Sequence, residues 1–493
     1  MISFDRNVNL KFMGRFNSRL KSSVLTIFRI ISLRIIGIIT LSLLRIDFVC
    51  GQDNSTLDKH LWQYEINFKS LMNYRSMPMW EAWNGAVTTK LLQSGIDRSA
   101  GYSDDNYFNY DRYDSLSKQY GLLLYFYEAD NLFSYLLRPG KPYLSFMKSV
   151  SHDSLLYFEK ELKELVFLEN DKNLALHERG IQADTVERGL QYRDINKRLC
   201  DVLLPSALCK NLLGIKYLEI IPALNIGSIP FYLLQPYGNS SYVVDSMCVV
   251  ISSDVPHYLY ATKMYTNLGL HKAEFGSCIP KNPLIIGNPT ISKCARGLQP
   301  LPGAESEAIA VAKILGAQPL LGLAARKDSV LQLIRESDFL YFATHAFVDH
   351  RNIMDSSFLL LADYNGNCGR WSPREIQSDS LLPGSIVVLS ACESGMGKSM
   401  DAGVTGSLAR SFILAGACCV IYSYWPVADQ ATSDFMLENM KQLQISRPFF
   451  PAEHLRQTIL EYRKRNNDPQ VWGAFTVLGV PYPCGFSSRL KVN

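Results

Sequence analysis

Two residue types that can build a nucleophile stand at equivalent places in the chain. Residues 339–343 (Phe-Leu-Tyr-Phe-Ala) run into Thr344-His345-Ala346, and residues 386–389 (Ile-Val-Val-Leu) run into Ser390-Ala391-Cys392-Glu393-Ser394-Gly395. Each apolar run has the length and composition of a buried strand. Each therefore places a reactive side chain just past a strand's carboxyl end. With those strands adjacent and parallel, His345 and Cys392 become neighbours. A thiol near its free pKa is mostly protonated at neutral pH, and an imidazole beside it takes the proton and leaves a thiolate nucleophile. The glycine-containing turn after Cys392 lets backbone N–H groups face a developing oxyanion, the amide of Cys392 first among them. The plainer alternative is that Cys392 is a small core hydrophobe and His345 a hydrogen-bonded structural residue.

The elements that would position this pair alternate regularly. Residues 283–287, 339–343, 358–362, 386–389 and 418–424 read as strands. Residues 305–315, 327–335, 404–414, 431–443 and 453–464 have helical apolar spacing, and 472–478 closes with apolar residues. Strands alternating with helices predict a mainly parallel sheet covered on both faces, with the site beyond the strands' carboxyl ends. Upstream, residues 121–127 and 132–138 read as two strands paired around Glu128-Ala129-Asp130-Asn131. Helices are expected at 154–167 and 185–203, and strands at 217–221 and 241–252. This upstream half offers no cluster of His, Cys or carboxylates that would do chemistry.

Composition sets the outer bounds. The chain has 493 residues, 47% hydrophobic and 19% charged, which suits a globular protein. Residues 1–50 hold eight Lys/Arg against two Asp/Glu; the remainder has 42 basic and 44 acidic residues, so it is no basic nucleic-acid surface. Residues 35–44 form a charge-free apolar run of ten, too short to span a bilayer. Behind a basic region and before Val49-Cys50-Gly51, it reads as a secretory signal cleaved near Gly51, so the protein is expected to be exported. The alternatives are an uncleaved tether formed by residues 24–46 or an amphipathic or buried helix. Asp47 and Phe48 argue against lipid attachment at Cys50. The eleven cysteines contain no CxxC pair, so no metal is expected. Their scattered spacing does not read as a disulfide framework, and Cys418 and Cys419 read as core. Residues 395–399 end like a phosphate-binding loop, but its required first glycine falls on Cys392. No cofactor is expected.

The chain resembles the CHAT family, caspase-like domains found with tetratricopeptide repeats. Leu340-Tyr-Phe-Ala-Thr-His345 resembles the family's histidine strand, and Leu389-Ser-Ala-Cys-Glu-Ser-Gly395 its cysteine strand. Residues 403–416 resemble the following helix, 420–429 the next strand and turn, and Trp472-Gly-Ala-Phe-Thr-Val-Leu-Gly479 the closing segment. Gly287-Asn-Pro289 and Leu301-Pro-Gly-Ala-Glu-Ser-Glu307 belong to the same ordered set. The likeness is dense over about 280–482 and thinner back to about 119. The 47 positions between His345 and Cys392 also match the separation in the caspase signature.

The resemblance implies an α/β, caspase-like three-layer fold with a mainly parallel central sheet in two halves. A degenerate half is expected at 119–270 and a catalytic half at 280–485, after a targeting segment (1–51) and a short helical region with linker (52–118). It implies His345 as general base and Cys392 as nucleophile, with the amides of Ala346 and Cys392 as oxyanion donors. Caspases carry glycine where Ala346 stands; alanine is still small and its amide still donates. Asp429, with Asp401 as its rival, is implied as the acid that holds a basic side chain before the scissile bond. The plain alternative for Asp429 is a cap on the helix at 431–443. No tetratricopeptide array is visible. The expected function is a cysteine endopeptidase acting on protein or peptide after a basic residue. Nucleic acid is not an expected partner, a regulatory protein is, and the membrane would be met only through the N-terminal segment. The alternative is a catalytically silent CHAT module that binds a partner.

Overall fold

Apolar runs of five residues, buried along their whole length, form the centre of the molecule. A strand buried on both faces needs layers above and below it, which is the situation in a parallel sheet. The computed structural model describes residues 119–138, 141–168, 182–238, 241–252, 280–291, 298–349, 352–363, 368–391, 403–445 and 450–479. The expected targeting segment, the expected helical region at 52–118, Cys392 and Asp401 lie outside the described residues.

In chain order the strands are β1 (Tyr120–Glu128), β2 (Asn131–Arg138), β3 (Lys141–Ser149), β4 (Tyr217–Ile221), β5 (Cys248–Ile251), β6 (Pro283–Pro289), β7 (Leu320–Gly322), β8 (Phe339–Ala343), β9 (Ala346–Phe347), β10 (Phe358–Leu360), β11 (Arg370–Trp371), β12 (Ile386–Ser390), β13 (Cys419–Ser423) and β14 (Phe475–Gly479). The longer helices are α1 (His152–Leu168), α2 (Gln182–Leu203), α3 (Pro302–Leu315), α4 (Gly403–Leu414), α5 (Asp429–Ile445) and α6 (Pro451–Arg465). Eleven strands make one sheet in the order β3-β2-β1-β4-β5-β14-β13-β12-β8-β6-β7. The run from β13 to β7 is parallel. Strands β1, β4 and β5 are also parallel, with β2 and β3 added antiparallel at the edge. The two halves share the sheet through β14, which lies parallel to β5 and antiparallel to β13.

Side-chain alternation along β8 defines the layers. Tyr341 reaches Glu307 on α3, while Phe342 packs on Phe412 of α4 at 5.7 Å between ring centroids. Helices α3 and α4 therefore cover opposite faces. Helix α5 lies against α3, and α6 lies against α5 and on β14 and β5. The hairpin expected around residues 128–131 is present, with Ala129 and Asp130 at φ 50° and 57°, the left-handed pair that suits a two-residue turn.

Several features depart from the sequence reading. The strand expected at 241–252 is a short helix over Val243–Ser246 followed by β5, and β7 was not expected. Strand β3 was not expected; it completes the edge meander. Residues 358–360 were expected among the alternating strands, but they leave the main sheet and pair antiparallel with β9 and β11. The cysteines also differ: Cys368 and Cys418 are disulfide-bonded, whereas Cys200, Cys209, Cys248 and Cys419 are free and buried. Cys418 had been expected as a core thiol beside Cys419; only Cys419 is one.

Phe412 is fully buried between Phe342 and Trp371. Phe412→Ala is expected to destabilise the protein by about 3–5 kcal/mol through lost burial and a residual cavity. Leu323, 68% exposed, should tolerate the same change with little effect. Urea unfolding of the two variants checks this, and equal midpoints would contradict the packing described.

Candidate active site

Parallel pairing sets the geometry of the site. Strand β12 pairs with β8 so that Leu389 faces Phe342 and Ser390 faces Ala343. The two strands end level at the same edge of the sheet. His345 follows Ala343 by two residues, and Cys392 follows Ser390 by two in the sequence.

His345 is 7% exposed and is bonded through both its backbone carbonyl and its ring. Its carbonyl accepts from the Leu360 amide at 2.9 Å, and the neighbouring Thr344 hydroxyl donates to the Leu360 carbonyl at 2.7 Å. Its ring Nε2 lies 2.7 Å from the carbonyl oxygen of Gln299, in the turn before α3. A carbonyl oxygen only accepts, so Nε2 is the protonated nitrogen of the neutral ring. The lone pair of that tautomer sits on Nδ1, the nitrogen then able to take a proton. Sequence reading identified the histidine but not this carbonyl, because a backbone acceptor leaves no side-chain signal.

A cavity lies at the carboxyl ends of β8, β12 and β13. It is lined by Ala346, Val348, Leu389, Ala391, Leu408, Tyr422, Ser423 and Trp425. Its walls are mostly apolar. Ala346, an expected oxyanion donor, and Ala391, the residue before Cys392, both contribute to it.

Asp429 is placed differently from either sequence expectation. It opens α5, but its carboxylate reaches across to the amino end of α3. Oδ2 accepts from the Gly303 amide at 2.7 Å and Oδ1 from the Ala304 amide at 3.1 Å. It thus satisfies two of the donors that a helix start leaves without intrahelical partners. Gly303 permits this approach, because a Cβ there would lie 2.5 Å from Oδ2. Both oxygens are engaged by backbone amides rather than turned to a substrate side chain. The cap falls on a different helix from the one expected.

Beneath the strand ends lies a carboxyl that the sequence reading did not single out. Glu307 of α3 is 1% exposed, and the Tyr341 hydroxyl donates to its Oε1 at 2.6 Å. Burial raises its pKa from 4.5 to about 7, against the opposing pull of the Ser390 and Tyr341 hydroxyls. The Ser390 hydroxyl faces it without the geometry of a full hydrogen bond. A signal was available: Ala304, Glu307, Ala308 and Val311 share one helical face, so Glu307 sits on an apolar stripe. Among the described residues no group of three His, Cys, Asp or Glu is placed to hold a metal. No described helix is long and apolar enough to cross a membrane.

With this geometry in place, the sequence matches the profile of the CHAT domain over residues 193–480. It is 24% identical over 285 residues to human tetratricopeptide repeat protein 28, covering 51% of this chain and 11% of that protein. The mouse protein of the same name is 26% identical over 297 residues, with 51% and 12% covered. The chain thus spans about a tenth of the length of these curated relatives. Among solved structures it is similar to the Saccharomyces cerevisiae separase–securin complex (TM-score 0.43, 11% identity, 75% of this chain and 31% of that one). It is also similar to the Arg-specific cysteine proteinase gingipain R (TM-score 0.40, 8% identity, 59% and 68% covered).

Glu307 gives this arrangement a pH signature. The folded chain keeps its proton up to about pH 7, whereas the unfolded chain releases it near 4.5. The folded state therefore binds the extra proton in that window, and its contribution to stability falls as pH rises through it. Glu307→Gln should gain stability relative to wild type between pH 5 and 7.5, on the order of 1–3 kcal/mol. Paired urea titrations across that range check it, and a pH-independent difference would contradict a raised Glu307.

Proposed function

The chain belongs to the CHAT domain family, and from that premise we propose that it is a cysteine endopeptidase with His345 and Cys392 as its dyad. The observation that carries this reading is the level, in-register ending of β8 and β12, with His345 Nε2 held by the Gln299 carbonyl. In the proposed reaction Nδ1 of His345 takes the thiol proton of Cys392 as Sγ attacks the scissile carbonyl. The amides of Cys392 and Ala346 receive the oxyanion. The imidazolium then protonates the leaving amine, leaving an acyl-enzyme on Cys392. A water, deprotonated by the same Nδ1, hydrolyses that thioester and frees the thiol.

The substrate is protein or peptide, with Arg or Lys on the acyl side of the cut. Because both oxygens of Asp429 are engaged by α3, the partner for that charge in this reading is Asp401. An apolar wall such as Ala346, Leu389 and Trp425 suits the aliphatic stem of a long basic side chain. A buried carboxylate facing a guanidinium gains charge-assisted hydrogen bonds that an apolar residue cannot supply. No cofactor is invoked.

Export through residues 1–51 completes the reading, with membrane contact confined to that segment. The disulfides at Cys368 and Cys418 support it, because such bonds persist in oxidising compartments. A regulatory protein partner is retained, as is the alternative of a partner-binding module without turnover.

Purified protein is to be incubated with matched peptides carrying Arg, Leu or Asp at the acyl position. Wild type should favour Arg by about a hundredfold. Cys392→Ala should abolish cleavage, and His345→Ala should lower it by roughly 10²–10⁴. Cys419→Ala, a free thiol buried in β13, should leave the rate intact apart from stability effects. Asp401→Ala should level the three rates, whereas Asp429→Ala should preserve their ratio. Absence of turnover with every peptide would favour the silent module, and unchanged selectivity in Asp401→Ala would remove the basic pocket from the mechanism.

A further inference from the structure

Two segments far apart in sequence meet at the amino end of α3, and neither touches the cavity described above. At the end of β6, Asn288 adopts φ 42°, in the left-handed region that non-glycine residues seldom occupy. Its Oδ1 accepts from the Leu301 amide at 2.9 Å, and its Nδ2 donates to Glu305 Oε2 at 2.9 Å. From the other side Asp429 accepts from the Gly303 and Ala304 amides. Residue 302 is proline and has no N–H. Every backbone amide hydrogen from residue 301 to 304 is therefore held by a side chain from another element.

Gln299 stands two residues before this clamp, and its carbonyl receives His345 Nε2. A carbonyl on an unanchored turn could swing away or be replaced by water. The imidazole would then lose the acceptor that selects its tautomer. Here the end of the turn is tied to β6 by Asn288, and the first turn of α3 that follows it is tied to α5 by Asp429. The backbone strain at Asn288 fits such a role, since strained conformations persist where surrounding contacts fix them.

We infer that Asn288 and Asp429 are positioning residues that hold the 298–301 turn so that the Gln299 carbonyl fixes the orientation and tautomer of His345. The inference rests on the peptidase reading for its functional meaning, though not for its structural one. It assigns a task to Gly287-Asn288-Pro289 and to Leu301-Pro302-Gly303-Ala304, two sequence blocks that lie apart from the dyad. It also accounts for Gly303, whose missing Cβ admits the Asp429 carboxylate.

The test uses the whole chain with ¹⁵N- and ¹³C-labelled histidine, the His345 signal being assigned by its loss in His345→Asn. Wild type should show a protonated Nε2 and an unprotonated Nδ1 at pH above the imidazole titration. Asp429→Leu removes both acceptor oxygens, Asp429→Asn keeps one, and Asn288→Gly keeps the backbone conformation while removing the side-chain bonds. Asp429→Leu and Asn288→Gly should mix the tautomers, with Asp429→Asn in between. The iodoacetamide rate at Cys392, read by peptide mass mapping, should fall by about tenfold or more in the first two. Circular dichroism and urea midpoints identify folded variants, and Asn288→Gly serves if Asp429→Leu does not fold. Unchanged tautomers in a folded variant would overturn the inference. If the tautomers shift but Cys392 alkylates no faster in wild type than in His345→Asn, the positioning stands and the peptidase reading fails.

Discussion

The register between β8 and β12 is the constraint on which the rest depends. A parallel pair can slip only in steps that carry whole side-chain sets to the wrong face or the wrong level. Here five consecutive residues of each strand are buried on both sides, so a slip would drive Phe342 out of its contact with Phe412 and Trp371, and Tyr341 away from Glu307. The packing of two opposite faces thus fixes where the two strand ends emerge. Because Ala343 and Ser390 finish level, chemistry two residues beyond either can be shared. The ring Nε2 of His345 lies 2.7 Å from the carbonyl oxygen of Gln299, just before α3.

The first half of the chain contributes to the same edge. Helix α1 carries a buried ion pair in which Lys163 Nζ lies 2.7 Å from Glu159 Oε1. The Ser228 hydroxyl and the Asn225 amide also donate to that carboxylate. Lys163 stands 5.8 Å from the ring of Tyr424, which stacks on Trp425 in the cavity wall. A buried ion pair is an uncertain source of stability, since desolvation opposes the Coulomb attraction. Its worth here is geometric: it ties α1 and residues 224–228 to the end of β13. The shared sheet through β14 does the same at the level of the backbone. The two halves form one scaffold around one edge.

Much of this was legible in the sequence because the second half consists of short apolar runs broken at polar residues. The strands 339–343 and 386–389, the helix after the second of them and the hairpin at 128–131 all follow from local pattern. What was not legible depends on distance along the chain. Asp429 caps a helix whose amides lie 125 and 126 positions away, so neither its own helix nor its neighbours reveal the partner. Strand β7 has three residues, too few to show a period. Residues 358–360 look like any buried strand; pairing with β9 and β11 draws them into a separate sheet. The bonded state of Cys368 and Cys418 left no spacing signature in the sequence. Cys392 and Asp401 lie outside the described residues, and their roles rest on sequence and family.

The central claim is that a thiolate on Cys392, raised by His345, attacks a peptide carbonyl. Its most direct measurement is covalent trapping by a peptidyl acyloxymethyl ketone with Arg beside the electrophile, followed by intact-mass and peptide mapping. The account predicts one inhibitor per chain, carried on Cys392, with labelling lost in His345→Ala and blocked by prior Cys392 alkylation. Labelling spread over other cysteines, or equal labelling of Cys392 in His345→Ala, would contradict it.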